Sequence, residues 1–162
     1  MEENETVDKR ATWRDKLRYT DKPVIKPAPE HWALRYGGNK MVIATPELVE
    51  EKIRQIPKGQ LSTIGIIRKQ IARDFKVHFS CPLTTGIFVR IVAELAEEEK
   101  SEGKTDVAPW WRVLKDDGTF SSKNPGHPDI QSDYLEADGL EVIPKGKNHI
   151  TVKDFENYLI KV

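Results

Sequence analysis

The chain has 162 residues, 38% hydrophobic and 32% charged, and its 26 basic and 26 acidic side chains bring the formal net charge to zero. That length suits one compact domain with its own core, and the neutral balance excludes a global field that would steer the protein to nucleic acid while leaving a local one open. The single Cys81 excludes an internal disulfide and fits a reducing compartment, and with no secretory pattern in MEENETVDKR and no run of membrane-span length the expectation is a cytoplasmic protein without a membrane partner.

Residues 1–9 are polar, lack apolar periodicity and read as disordered. Ala11 to Tyr19 reads as a short helix with Trp13 and Leu17 facing inward, and Pro23, Pro27 and Pro29 enforce extended chain after it. A Gly37-Gly38-Asn39 turn leads into a strand over Lys40–Ala44. Thr45-Pro46 is an N-cap followed by Pro at N1, opening a helix to about Gln55.

Ser62 or Thr63 caps the next helix, which carries Ile64, Ile67, Ile71 and Phe75 on one side and Arg68, Lys69 and Arg73 away from it. Lys76 to Pro82 reads as a loop. A longer helix follows from Leu83 to about Lys100, with Leu83, Ile87, Phe88, Ile91 and Leu95 as its inner stripe and Gly86, Arg90 and Ala93 opposite. Asp116-Asp117-Gly118 is a turn, 124–128 a loop, and Asp129–Ala137 a helix closed by Gly139 at C′. Val142-Ile143 and Ile150–Val152 bracket a hairpin turn at 145–148, and Thr151-x-x-Asp154 reads as a capping box opening a last helix with Phe155, Tyr158 and Leu159.

Charge is segregated along the chain. Residues 52–90 hold eight Lys or Arg and one acid, Asp74, whereas residues 91–106 hold six acids and two lysines. The basic block covers a helix, a loop and the start of a second helix, an arrangement that can lay one helix across a phosphate backbone and the next in a groove. A solvated helix face is the plainer reading of the same charges. Metal ligation is not expected, because His78-x-x-Cys81 offers two ligands and His31, His127 and His149 are scattered.

Two adjacent tryptophans in Pro109-Trp110-Trp111-Arg112-Val113 are hard to place on one buried face. Ile56-Pro57-Lys58-Gly59-Gln60-Leu61-Ser62-Thr63-Ile64-Gly65-Ile66-Ile67 resembles the Ile-Pro-x-Gly-x-Val-x-Thr-Tyr-Gly-x-Ile segment of the O6-alkylguanine-DNA alkyltransferases. Pro109–Val113 resembles their Pro-Cys-His-Arg-Val motif, and QSDYLEADG over 131–139 resembles their Lys-x-x-Leu-Leu-x-x-Glu-Gly ending. The order of the three motifs over residues 41–140 points to the superfamily's alkyltransferase-like branch, which lacks the acceptor cysteine.

The resemblance implies an α/β, mainly α, fold: a winged helix-turn-helix domain over 41–140, an N-terminal extension over 1–40, and a hairpin plus helix over 141–162 packed on the same domain. Trp110 takes the slot of the nucleophile and Trp111 that of its activating His, so the implied protein keeps a pocket without transfer chemistry and needs no cofactor. Double-stranded DNA, alkylated or plain, and DNA repair proteins are the implied partners. Trp110, Trp111, Arg112 and Ile64 are the implied base-pocket residues, with Trp110 either stacking on a flipped guanine or plugging its pocket. Arg112 is expected to tie the loop together by hydrogen bonds. Arg68, Lys69, Thr84, Thr85, Gly86 and Arg90 are the implied DNA-binding residues.

Two departures bear on base flipping. Ile64 stands where the family has Tyr, and no Arg stands near Gly86, so Arg90, one turn on, is the available substitute for the family's arginine finger. Two further readings stay open: an interaction module that kept the fold without lesion binding, and an alkyl acceptor at Cys81, which precedes a helix N-terminus.

Overall fold

The computed structural model describes residues 12–18 and 22–162. The expectation of disorder over 1–9 lies outside the described residues. Helix α1 (Trp13–Arg18) buries Leu17 and rests Trp13 on the core, as the i,i+4 spacing predicts. Strand β1 (Val24–Pro27) is the extended segment between the prolines, and α2 (Glu30–Tyr36) follows it. The sequence reading missed α2 because that helix fully buries none of its own side chains. It is held instead by rings from its one inward side, with Tyr36 stacked on Phe79 at 4.9 Å and Trp32 edge-on to it at 6.4 Å.

Gly37 ends α2 in the left-handed region at φ 88°, where a side chain would be strained. Gly38 answers a different need, because a Cβ there would lie 2.2 Å from the His78 ring. Strand β2 (Lys40–Ile43) pairs antiparallel with β1, Val24 facing Ile43, and parallel with β4 (Phe79–Ser80), Met41 facing Phe79. The segment read as a loop over 76–82 therefore contains a two-residue edge strand. It is too short to carry a period, and burial of Phe79 and Ser80 is what reveals it.

Helix α3 (Pro46–Arg54) begins as expected, with Thr45 Oγ1 accepting from Leu48 N at 3.2 Å. Its Lys52 is buried and ion-paired with Asp74, which removes it from the exposed basic block. Strand β3 (Ser62–Thr63) runs parallel to β5 (Val113–Leu114) and sets the Trp-Trp motif beside the start of α4 (Ile64–Phe75). Thr63 caps α4 through Ile66 N at 3.1 Å, and Ile67 and Ile71 enter the main core.

Helix α5 (Pro82–Ser101) departs from the expected face. Ile91 and Leu95 are buried as read, and Phe88 packs on the core. Leu83 and Ile87, expected inside, are 65% and 59% exposed. Ala93, expected on the open face, is completely buried. The inner stripe near the start of the helix is Thr85, Val89, Val92 and Ala96. Apolar residues occupy both sides of this helix, so period alone could not choose between them.

After a 3-10 turn at Trp110–Arg112, helix α6 (Asp129–Ala137) and Gly139 at φ 92° match the reading. So does the β6 (Val142–Lys145) and β7 (His149–Val152) hairpin, with Val142 opposite Val152. The last expected helix is not formed. Thr151 belongs to β7 and donates its hydroxyl to Gly118 O at 2.6 Å, Asp154 takes a left-handed φ of 54°, and Phe155–Tyr158 make one 3-10 turn. Phe155 lies over Gly118 so closely that a Cβ there would meet its ring at 2.4 Å. A second core gathers Leu61, Leu114, Phe120, Leu135, Leu140 and Val152, seating hairpin and tail against residues 61–140. Among the described residues no helix is long and apolar enough to cross a membrane.

Candidate nucleic-acid interface

The Trp-Trp motif resolves by sending its two rings to different partners. Trp110 has no exposed surface and sits against Ala93 and Ala96 of α5, Val107, and Tyr134 of α6. The two alanines leave the hollow that an indole fills. Its Nε1 donates to Glu97 Oε2 at 3.1 Å, and the Tyr134 hydroxyl donates to Glu97 Oε1 at 2.9 Å. Burial, and then the Glu97 carboxylate, push the Tyr134 phenol well above its ordinary range, so it remains a neutral donor.

Trp111 is half-buried. Its Nε1 donates to Asp138 Oδ2 at 3.1 Å, and the Lys100 ammonium stands 5.1 Å above its ring and 3.7 Å above that of Tyr134. Arg112 ties three parts of the chain together: Nε donates to Asp138 at 2.7 Å, Nη2 to the same carboxylate at 3.3 Å, and Nη1 to Ile56 O at 2.8 Å. Buried Gln131 completes the frame, donating Nε2 to Trp111 O at 3.0 Å and Val113 O at 3.3 Å while accepting from Asn124 Nδ2 at 3.0 Å.

The four implied base-pocket residues are therefore not brought together. Ile64 faces an open cleft, whereas Trp110 plugs a closed space between α5 and α6, and Trp111 and Arg112 lock the loop between them. Trp110 is completely buried against Ala93, Ala96 and Val107, the arrangement expected of a side chain that fills its pocket. It has no face free for a base.

The cleft that Ile64 faces has a volume of about 430 Å³. Ile64, Val89, Val113 and Leu114 form its floor, Leu83, Gly86, Ile87 and Arg90 one wall, and Lys115 with residues 121–124 the other. Among the described residues, Arg90, Lys115 and Lys123 are the charged side chains that line it, with no acid beside them. It adjoins a second depression of about 470 Å³ through Ile64 and Lys115, where Arg35, Tyr36 and Arg68 face Asp116 and Asp117. Arg68 is 3.9 Å from Asp116 and its guanidinium lies 5.3 Å over the Tyr36 ring. Lys69 lines a separate cavity of about 120 Å³ behind Arg68.

Of the implied DNA-binding residues, Gly86 and Arg90 lie on the cleft and Arg68 on its continuation. Thr85 does not reach the surface. It is fully buried and donates its hydroxyl to Cys81 O at 3.1 Å, the price of placing a small polar side chain on the inner stripe. Thr84 holds its Oγ1 buried and unpartnered among the described residues. The start of α4 is closed to an anion, because Thr63 and Asp116 already accept from Ile66 N and Gly65 N, the latter at 2.7 Å. Sequence reasoning missed Lys115, Lys123 and Arg35. Lysines flanking the Asp-Asp-Gly turn were the available signal for two of them.

Asp117, exposed at that turn, has its carboxyl held below the usual carboxylate range, first by the Thr119 hydroxyl at 2.6 Å and then by Thr119 N at 3.0 Å. Cys81 is buried and does not line the cleft. Among the described residues no group of three or more His, Cys, Asp or Glu side chains could hold a metal ion. His78 Nδ1 accepts from Lys40 N at 3.1 Å.

No protein-family model matches the chain, and no curated protein matches it significantly. Solved structures do resemble it, including two from S. pombe. One is S. pombe ATL in complex with DNA, at 25% identity and a TM-score of 0.52, over 72% of this chain and 94% of that one. The other is S. pombe Atl1 in complex with damaged DNA containing O6-carboxymethylguanine, at 23% identity and a TM-score of 0.49 over the same shares.

Proposed function

We propose that this chain, which has the fold of the alkyltransferase-like proteins, is a non-enzymatic DNA-binding protein that acts in or near DNA repair. The observation that carries the reading is the cleft along the first turns of α5, walled by Arg90, Lys115 and Lys123 and lined by no acid among the described residues. It concentrates positive charge on a protein whose formal net charge is zero. The fold shared with a protein bound to DNA supports DNA as the partner. Residues 41–140 are the proposed DNA-binding domain, with α4 and α5 its helix pair, and the β6–β7 hairpin packs on it from outside.

The side chains present support a reading without transfer chemistry. The indole of Trp110 has no ionisable thiol, and its N–H is engaged by Glu97. Cys81 lies off the cleft and is buried, which disfavours it as an acceptor. A lesion, if read, is read in the cleft beside Ile64 and not at Trp110. Recruitment of repair proteins belongs to this proposal as the consequence of binding without repair.

Affinity for short duplexes with and without O6-alkylguanine, measured across salt, tests the reading. Tighter binding of the alkylated duplex, with affinity falling as salt rises, is expected. Equal affinities would remove lesion recognition, and salt-independent or absent binding would remove DNA as the partner. The plugged Trp110 favours a second reading in which no base is taken up and the fold serves protein contacts; equal affinities would favour it.

A further inference from the structure

Leu83 and Ile87 are the large apolar side chains that α5 leaves in solvent, 65% and 59% exposed. Four residues apart, they stand one above the other on one face of the helix. Gly86 beside them carries no side chain, and a Cβ added there would meet nothing nearer than Ile64 Cδ1 at 4.0 Å. The pair is thus a bare apolar ridge on the wall of the cleft. Around it are Arg90, Lys115 and Lys123, and among the described residues no acid lines the cleft. Arg90 is tethered only loosely, 3.9 Å from Glu94 at the surface and 5.8 Å over the Trp13 ring.

Two large apolar side chains exposed side by side on the wall of a basic cleft are suited to an occupant with apolar surface of its own. The rim selects an occupant that is anionic outside and apolar within. A duplex fits, because phosphates flank a stack of flat apolar bases, and Leu and Ile are among the side chains that wedge between base steps. A protein partner would need an apolar knob ringed by acids.

We propose, resting on the DNA-binding reading above, that the Leu83–Ile87 ridge is a wedge that enters a duplex between neighbouring bases and unstacks them. Arg90, Lys115 and Lys123 hold the flanking phosphates. Leu83 and Ile87 are about 6 Å apart along the helix axis, more than the ~3.4 Å between stacked bases, so one side chain occupies the opened step. Ile87 takes it, being next to bare Gly86 and one turn before Arg90, and Leu83 covers the sugar edge.

The test uses the full chain and short duplexes carrying 2-aminopurine at each position in turn, with affinity followed by anisotropy and unstacking by 2-aminopurine fluorescence. The parent should raise the fluorescence severalfold at one or two positions. Leu83→Ala/Ile87→Ala should bind within tenfold of the parent, with an unchanged salt slope and melting temperature, and lose the rise. Ile87→Phe should retain it. Binding by the parent without a rise, or an undiminished rise in the double variant, overturns the wedge and leaves the DNA reading standing. No binding by the parent at low salt overturns both.

Discussion

Trp110 is held by shape and by one hydrogen bond, and the two contributions separate by substitution. Trp110→Ala empties the hollow over Ala93 and Ala96 and is expected to destabilise the fold by about 3–5 kcal/mol in urea unfolding. Trp110→Phe keeps most of the volume but withdraws one donor from Glu97, and is expected to lose less than Trp110→Ala. A Trp110→Ala protein as stable as the parent would contradict the plug. Asp117 provides a pH signature. Its folded carboxyl lies below the ordinary value of 3.8, so its contribution to stability is complete above the unfolded pKa and is lost as pH falls through the folded one. The group is exposed, and the effect is read as a titration: the Asp117 carboxyl carbon should titrate below the ordinary range by NMR. In Thr119→Val, which removes the hydroxyl donor, it should move up. An unchanged midpoint would assign the depression to the backbone N–H.

At the scale of the element, α5 shows why apolar composition and burial part company. Gly86 and Ala93 were placed on one side of the helix by spacing, yet Gly86 borders the cleft and Ala93 is sealed against the Trp110 cluster. Gly86→Ala should stabilise by about 0.5–1 kcal/mol, because the site has room and Ala loses less entropy on entering a helix. Ala93→Leu should destabilise by about 1–3 kcal/mol through overpacking. Thermal melting of the two variants checks both signs. Similar shifts would mean the helix is rotated from the observed face. Caps were the most legible features of the sequence: Thr45 and Thr63 carry the bonds their positions predict. Thr151 carries no such cap, because pairing of β7 with β6 and the bond to Gly118 O claim it first.

For the whole molecule, neutrality and a basic cleft coexist because many bases outside the cleft are paired with acids, while Lys115 and Lys123 stand on its wall. Lys52 is spent internally on Asp74, and Arg54 meets Glu50 and Asp106. The charges left at the cleft come partly from the basic block, as Arg90, and partly from the loop after the Trp-Trp motif, as Lys115 and Lys123. Charge reversal at any one of these three should weaken duplex binding and flatten the salt dependence by about one unit. Lys58→Glu, outside both depressions, should leave the slope unchanged. Parental slopes in all three cleft variants would place the footprint elsewhere.

Local chemistry was readable along the chain: caps, the Gly37 and Gly139 turns, the hairpin, the helix after Pro128 and the three ordered motifs all depend on residues within a few positions of one another. Contacts between distant segments were not. The β2–β4 pairing, α2 resting on Phe79, the exposed side of α5 and the sealing of Trp110 each depend on partners 13 to 47 positions away. A sequence lists an apolar side chain without saying which neighbour will cover it. Leu83 and Ala93 are both apolar on one helix, and only the packing of α6 and the Trp-Trp turn against α5 makes one a surface and the other a core.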